Sequence, residues 1–153
     1  HLRTRRQRQM CIRDSDMAET MYDAPGIGLA ANQVGILKRL IVMDCSTDDE
    51  DPNLIKMINP EIIFSSTEIS ELEEGCLSIP EHKSIVKRPS NIKVKFLNIE
   101  GLEEIIDAEG LLSACIQHEI DHLNGVLFVD HISRLKRDII LRKVKKQIRE
   151  NEK

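Results

Sequence analysis

The stretch EGLLSACIQHEIDHL, residues 109–123, decides how this chain folds. Its apolar residues fall on several faces, the pattern of a helix buried in the middle of a domain. Asn124-Gly125 follows and supplies the expected C-terminal cap. His118 and His122 stand four apart, so on a helix they share one face. Two imidazoles so placed can bind one metal at about 2.0–2.1 Å each. Glu119, next to the first histidine, can lean into the same space as a general base on water. The plainer alternative is an exposed helix with incidental histidines. It fits poorly, because buried imidazoles beside a carboxylate are costly without a partner.

A mononuclear catalytic site needs a third ligand. The other histidines are His1, His82 and His131. His131 lies nine residues past His122 without an HxxGxxH extension, which argues against a long-motif zinc protease. ELEEGCLSIP (71–80) offers Cys76, directly after Gly75. As residues alone, Cys76 reads either as a ligand or as a small buried thiol. GIGLAANQVG (26–35) is glycine-rich, yet it lacks GxGxxG spacing and the Lys-Ser/Thr of a P-loop. It reads better as backbone lying flat against an extended ligand, with Gln33 aimed at a developing oxyanion.

Outward from these motifs, SDMAETMYDA ends an amphipathic helix with Met17 and Met21 on one face and Ser15 at its start; Pro25-Gly26 stops it. KRLIVMD (38–44) predicts a buried strand. LIKMINPEII (54–63) reads as extended and interrupted at Asn59-Pro60. NIKVKFL (91–97), the turn NIEG and LEEIIDA predict a hairpin. Leu135, Ile140, Val144 and Ile148 mark a C-terminal helix.

At 153 residues the chain suits one domain, and 3% aromatics demand an aliphatic core. The spacing of its four cysteines contains no CxxC, and no segment has the length of a membrane span or the form of a secretory signal. The net charge of −4 is uneven: residues 134–153 carry nine Lys/Arg against three acids, residues 1–15 five Arg against one Asp, and the body between them −14. An acidic body argues against sequence-specific nucleic-acid binding, while the basic tail suits an anionic partner.

GIGLAANQ, EGCLS and QHEIDH, in this order and at these separations, resemble the three signature motifs of the peptide deformylases. The resemblance runs from about Ser15 to the end and is closest to the bacterial class with a C-terminal helix. It implies an α+β fold, a mixed and mostly antiparallel sheet wrapped around the central HExxH helix. It also implies removal of the formyl group from the N-terminal formylmethionine of nascent peptides. Cys76, His118 and His122 would be the metal ligands, with water in the fourth place. Glu119 would take the water's proton and deliver it to the leaving amine. Gln33 and the Leu77 backbone N–H would hold the oxyanion. Gly26, Ile27, Gly28 and Gly75 would line the substrate cleft, with Glu74 and Arg88 as a supporting pair beside it. Softness of a Cys-His-His set favours zinc; the resemblance implies ferrous iron, with zinc or nickel substituting.

The resemblance further implies a cytoplasmic monomer, with the basic helix near the ribosome exit tunnel. Residues 1–14 show no matching pattern and read as disordered or non-native, with 15–153 as the catalytic domain lacking its usual N-terminal strand. An inactive module of the same fold, docked on the ribosome through its tail, is the alternative. Metal content and Glu119→Ala kinetics discriminate the two.

Overall fold

The structure is a computed structural model that describes residues 15–24 and 26–152. The expectations for residues 1–14 and for Pro25 therefore lie outside the described residues.

Helix α1 covers residues 15–23 and turns Met17 and Met21 inward, both almost fully buried. Seven strands follow: β1 (Gly28–Ala30), β2 (Leu40–Met43), β3 (Ile55–Ser65), β4 (Ile69–Cys76), β5 (Ile79–Pro89), β6 (Asn91–Leu97) and β7 (Glu103–Glu109). Helix α2 (Gly110–Leu123) and helix α3 (Arg134–Asn151) complete the order.

The strands form two sheets. One has five strands in the order β1-β2-β3-β6-β7, and the other is the β4–β5 hairpin. Every pairing among the described residues is antiparallel, in keeping with the α+β fold and mostly antiparallel sheet expected. The cause is connectivity: β1–β2, β2–β3, β4–β5 and β6–β7 join sequence neighbours by connections that reverse the chain, from two residues between β4 and β5 to eleven between β2 and β3, and none carries a helical crossover of the kind parallel pairing uses. At Asn59-Pro60 the β3–β6 register shifts, and Asn59 adopts a left-handed φ of 51°. Proline cannot donate to a ladder, so the interruption expected there takes the form of a bulge within one long strand.

The core lies between the five-stranded sheet and α2. Ile41, Met43, Met57, Ile92, Val94 and Phe96 from the sheet meet Ile116 and Ile120 from the helix. A second cluster joins Met17 and Met21 of α1 to Leu40 and Val42. Helix α2 ends as expected, with Asn124 as cap and Gly125 at φ 76°. Helix α3 starts at Ser133, whose hydroxyl accepts from the Lys136 N–H. The spacing predicted four inward residues on α3. Ile140 and Val144 do pack against Ile79, Val86, Phe128 and Val129, but Leu135 and Ile148 are exposed, because the helix meets the domain only along its middle.

Candidate active site

Three elements bring the motif residues together. Helix α2 presents His118 and His122 from its buried face. The β4–β5 hairpin ends its first strand at Cys76, and Leu77-Ser78 make the two-residue turn. A 3-10 turn, Ala31–Val34, runs directly from β1 and places Gln33 opposite both.

The Cys76 Sγ lies 3.2 Å from His122 Nε2, and the two histidine Nε2 atoms are 3.1 Å apart. All three ligand atoms fall within 4.8 Å of one another. A tetrahedral ion with bonds of about 2.0–2.1 Å to nitrogen and about 2.3 Å to sulfur would hold such atoms roughly 3.3–3.6 Å apart. The donor set therefore fits one divalent ion. Sequence spacing placed Cys76 more than forty residues from these rings, and the fold closes that gap.

Around the three donors the hydrogen bonds are directional. His118 Nδ1 sits 2.9 Å from Glu74 Oε2, which leaves Nε2 facing Cys76 and His122. Glu74 is held in turn by Arg88, whose Nη2 donates to Oε2 at 3.0 Å. Arg88 also donates to Asp121 Oδ2 at 2.8 Å, and His131 Nε2 approaches the same oxygen at 2.7 Å. Asn32 donates to the backbone carbonyl of His122. The Gln33 amide donates to Ser78 Oγ at 3.0 Å and reaches Cys76 Sγ at 3.6 Å, while its carbonyl accepts from Ala30 N–H at 2.9 Å. Asp121, Asn32 and Ser78 escaped the sequence reading, although each lies inside one of the three motifs; nothing about an isolated Asp, Asn or Ser marks it as a brace.

Charge is concentrated here. Burial pushes the Cys76 thiol up, but bonds to His118, His122 and the Ser78 N–H outweigh it and bring it down to about 5. Burial lowers His118, yet its bonds to Cys76 and Glu74 raise it to about 10. The thiol and the imidazole shift each other in opposite directions through their shared contact; a bound ion would take the place of that proton, since ligand histidine must be neutral. Burial pushes Glu119 up to about 7 against the pull of His118 and His122. Glu119 is 4% exposed, and its Oε2 has no hydrogen-bond partner among the described residues. Such an orphaned buried carboxylate oxygen is expensive unless something else occupies the space beside it.

An open cavity of about 550 Å³ lies against this cluster. Gly26, Ile27, Gly28, Glu74, Gly75 and Leu77 line it, as do Gln33, Cys76, His118 and Glu119. Arg88 is not at the cavity wall: it is 5% exposed and tied to Glu74 and Asp121, so it braces the site from behind. At Gly28 a Cβ would stand 2.6 Å from Glu119 Oε1 and 3.0 Å from Cys115 Sγ, so a larger residue there would displace the Glu119 carboxylate. His82 also lines the cavity and lies 3.4 Å from Gln147 of α3.

The polypeptide deformylase family model matches residues 6–138. The peptide deformylase of Agrobacterium fabrum is 53% identical over 134 residues, 88% of this chain and 79% of the relative. Among solved structures, peptide deformylase from Ehrlichia chaffeensis superposes with a TM-score of 0.85 at 43% identity, covering 91% of this chain and 83% of that one. A Met-Ala-Ser-bound class I type b peptide deformylase from Acinetobacter baumannii gives a TM-score of 0.76 at 37% identity, with 81% of each chain covered. The chain belongs to the polypeptide deformylase family, metal-dependent hydrolases that remove the N-formyl group from nascent peptides. An inactive docking module, the other class considered, finds no support in these likenesses.

Proposed function

We propose that Cys76, His118 and His122 hold one divalent ion and that Glu119 is the general base and acid of deformylation. The observation that carries this is the convergence of a thiol and two imidazoles beside a buried carboxylate oxygen without a partner among the described residues, with Cys76, His118 and Glu119 at the wall of one cavity. Bound there, the ion would polarise the formyl carbonyl and make water a competent nucleophile near neutral pH.

The chain's own residues supply the rest. Glu119 accepts a proton from the attacking water and passes it to the leaving amine, which would otherwise depart as an unstable anion. The Gln33 side-chain amide, already aimed toward Cys76 and Ser78, and the Leu77 N–H at the hairpin turn donate to the oxyanion. Gly26, Ile27, Gly28 and Gly75 leave backbone open for an extended peptide to add as a strand. Glu74 fixes the ring of His118, and Arg88 fixes Glu74. The Met-Ala-Ser peptide on the Acinetobacter relative supports a substrate that starts with methionine.

The softness of the donor set favours zinc, whereas the family likeness favours ferrous iron with zinc or nickel substituting, and ferrous iron is the ion we assign for turnover. We assign a monomer acting in the cytoplasm, with the basic α3 near the ribosome. No described helix is long and apolar enough to cross a membrane. The test is formate release from a formyl-Met-Ala-Ser peptide. Glu119→Ala is expected to lose roughly 10²–10⁴ in rate with its ion content unchanged; activity that survives this change rejects the assigned base.

A further inference from the structure

Two thiols outside the donor set meet behind the catalytic cavity. Cys45 follows β2, and Cys115 lies one turn before Glu119 on α2. Both belong to the same apolar cluster, and Cys45 shares a cavity wall with Leu112, one turn before Cys115 on α2. They open in opposite directions. Half-buried Cys45 lines a separate cavity of about 400 Å³ with Ser46, Glu50, Asn53 and Leu112. Buried Cys115 lines the catalytic cavity, its Sγ pressed against β1, 3.8 Å from the Ile27 carbonyl and beside Gly28. The deformylation reading uses neither sulfur.

We propose that Cys45 and Cys115 form a peroxide-sensitive dithiol, a modification site whose closure to a disulfide moves the wall of the catalytic cavity. Cys45 is the entry point, because it is the more accessible of the two. The neighbouring Cys115 also lowers the Cys45 thiol below its ordinary value, which favours reaction on the side the oxidant can reach. The Cys45 thiolate attacks one oxygen of hydrogen peroxide; the O–O bond breaks, and the departing hydroxide takes up a proton as water. Cys45 is then a sulfenic acid, oxidised by two electrons. The Cys115 sulfur attacks it, the S–S bond forms, the S–O bond breaks, and hydroxide leaves with the Cys115 proton as a second water. Two thiols and one peroxide yield one disulfide and two waters. The bond draws the Cys115 sulfur toward Cys45 and away from Gly28, loosening the packing beside Glu119. Only this effect on turnover rests on the proposed deformylation; the bond itself does not.

The experiment uses zinc-loaded protein, in which the ion is redox-inert and keeps Cys76 ligated. Hydrogen peroxide is titrated in, remaining thiols are capped, and peptides are mapped by mass spectrometry alongside zinc content and deformylation. The expected result is a Cys45–Cys115 linked peptide with zinc retained, a several-fold loss of deformylation, and recovery of both by dithiothreitol. Cys45→Ser should show neither the link nor the reversible loss, with its starting activity intact. The proposal is overturned if both cysteines stay alkylatable until zinc is released, if Cys45 runs on to a sulfinic acid without the link, or if Cys45→Ser loses activity just as readily. A linked protein with unchanged turnover overturns the coupling to the cavity.

Discussion

The two sheets solve different problems. In the five-stranded sheet the inward positions are aliphatic and sealed: Ile41, Val42, Met43, Met57 and Val94 have no exposed surface. In the β4–β5 hairpin the buried set includes a carboxylate and a guanidinium, Glu74 and Arg88, whereas Ile69 and Ile85 face outward, about half exposed. Apolar burial stabilises the first in proportion to area. The second is fixed by directional bonds, a weak way to add stability and a good way to set an atom's position. The large sheet keeps α2 in place; the hairpin carries Cys76 to it.

That division can be broken from either side. Ile41→Ala removes a fully buried side chain from the large sheet and is expected to cost about 2–5 kcal/mol in chemical denaturation, with activity per folded molecule preserved. An equal loss of activity in the folded protein would erase the distinction. Glu74→Gln is the converse: it leaves shape intact, frees the His118 ring and should weaken ion affinity by roughly 10–100-fold in a chelator competition. If affinity holds while the melting temperature falls, the hairpin network is structural after all.

The smallest effect lies outside both. Tyr22 donates to Asp44 Oδ2 at 2.6 Å. Burial pushes Asp44 up, but bonds from Ser46, Tyr22 and the Ser46 and Asn53 backbone win and hold it at about 2; the bond to Asp44 raises Tyr22 to about 12. A lowered carboxyl stabilises the fold above its ordinary range near 4 and loses that contribution as pH falls toward 2. A raised phenol contributes below about 10 and loses its share as pH climbs through 12. Tyr22→Phe should cost about 1 kcal/mol at neutral pH, with the gap to the parent closing at both extremes. A gap independent of pH would show that the pair is not the cause.

Legibility in the sequence follows the same divide. Helix α2, its Asn-Gly cap, β2 and the β6–β7 hairpin were readable because burial there is apolar and periodic. The β4–β5 hairpin was not read, since ISELEEGC puts an isoleucine outside and a glutamate inside, against the usual sense of the pattern. The motifs still gave Cys76, His118, His122, Glu119 and Gln33 as one site, whereas Asp121 and Ser78 became visible only once three-dimensional contacts fixed their partners. The outer ends of α3 misled because helical spacing reports an apolar face without saying how much of it finds a neighbour.

Cobalt substitution tests the centre most directly, because a thiolate bound to Co²⁺ gives a ligand-to-metal charge-transfer band that imidazole and carboxylate do not. The account predicts that band in the cobalt-loaded parent, its loss in Cys76→Ser, and its persistence in Cys45→Ser and Glu119→Ala. A parent without the band, or a Cys76→Ser protein that keeps it, would contradict the placing of that sulfur on the ion.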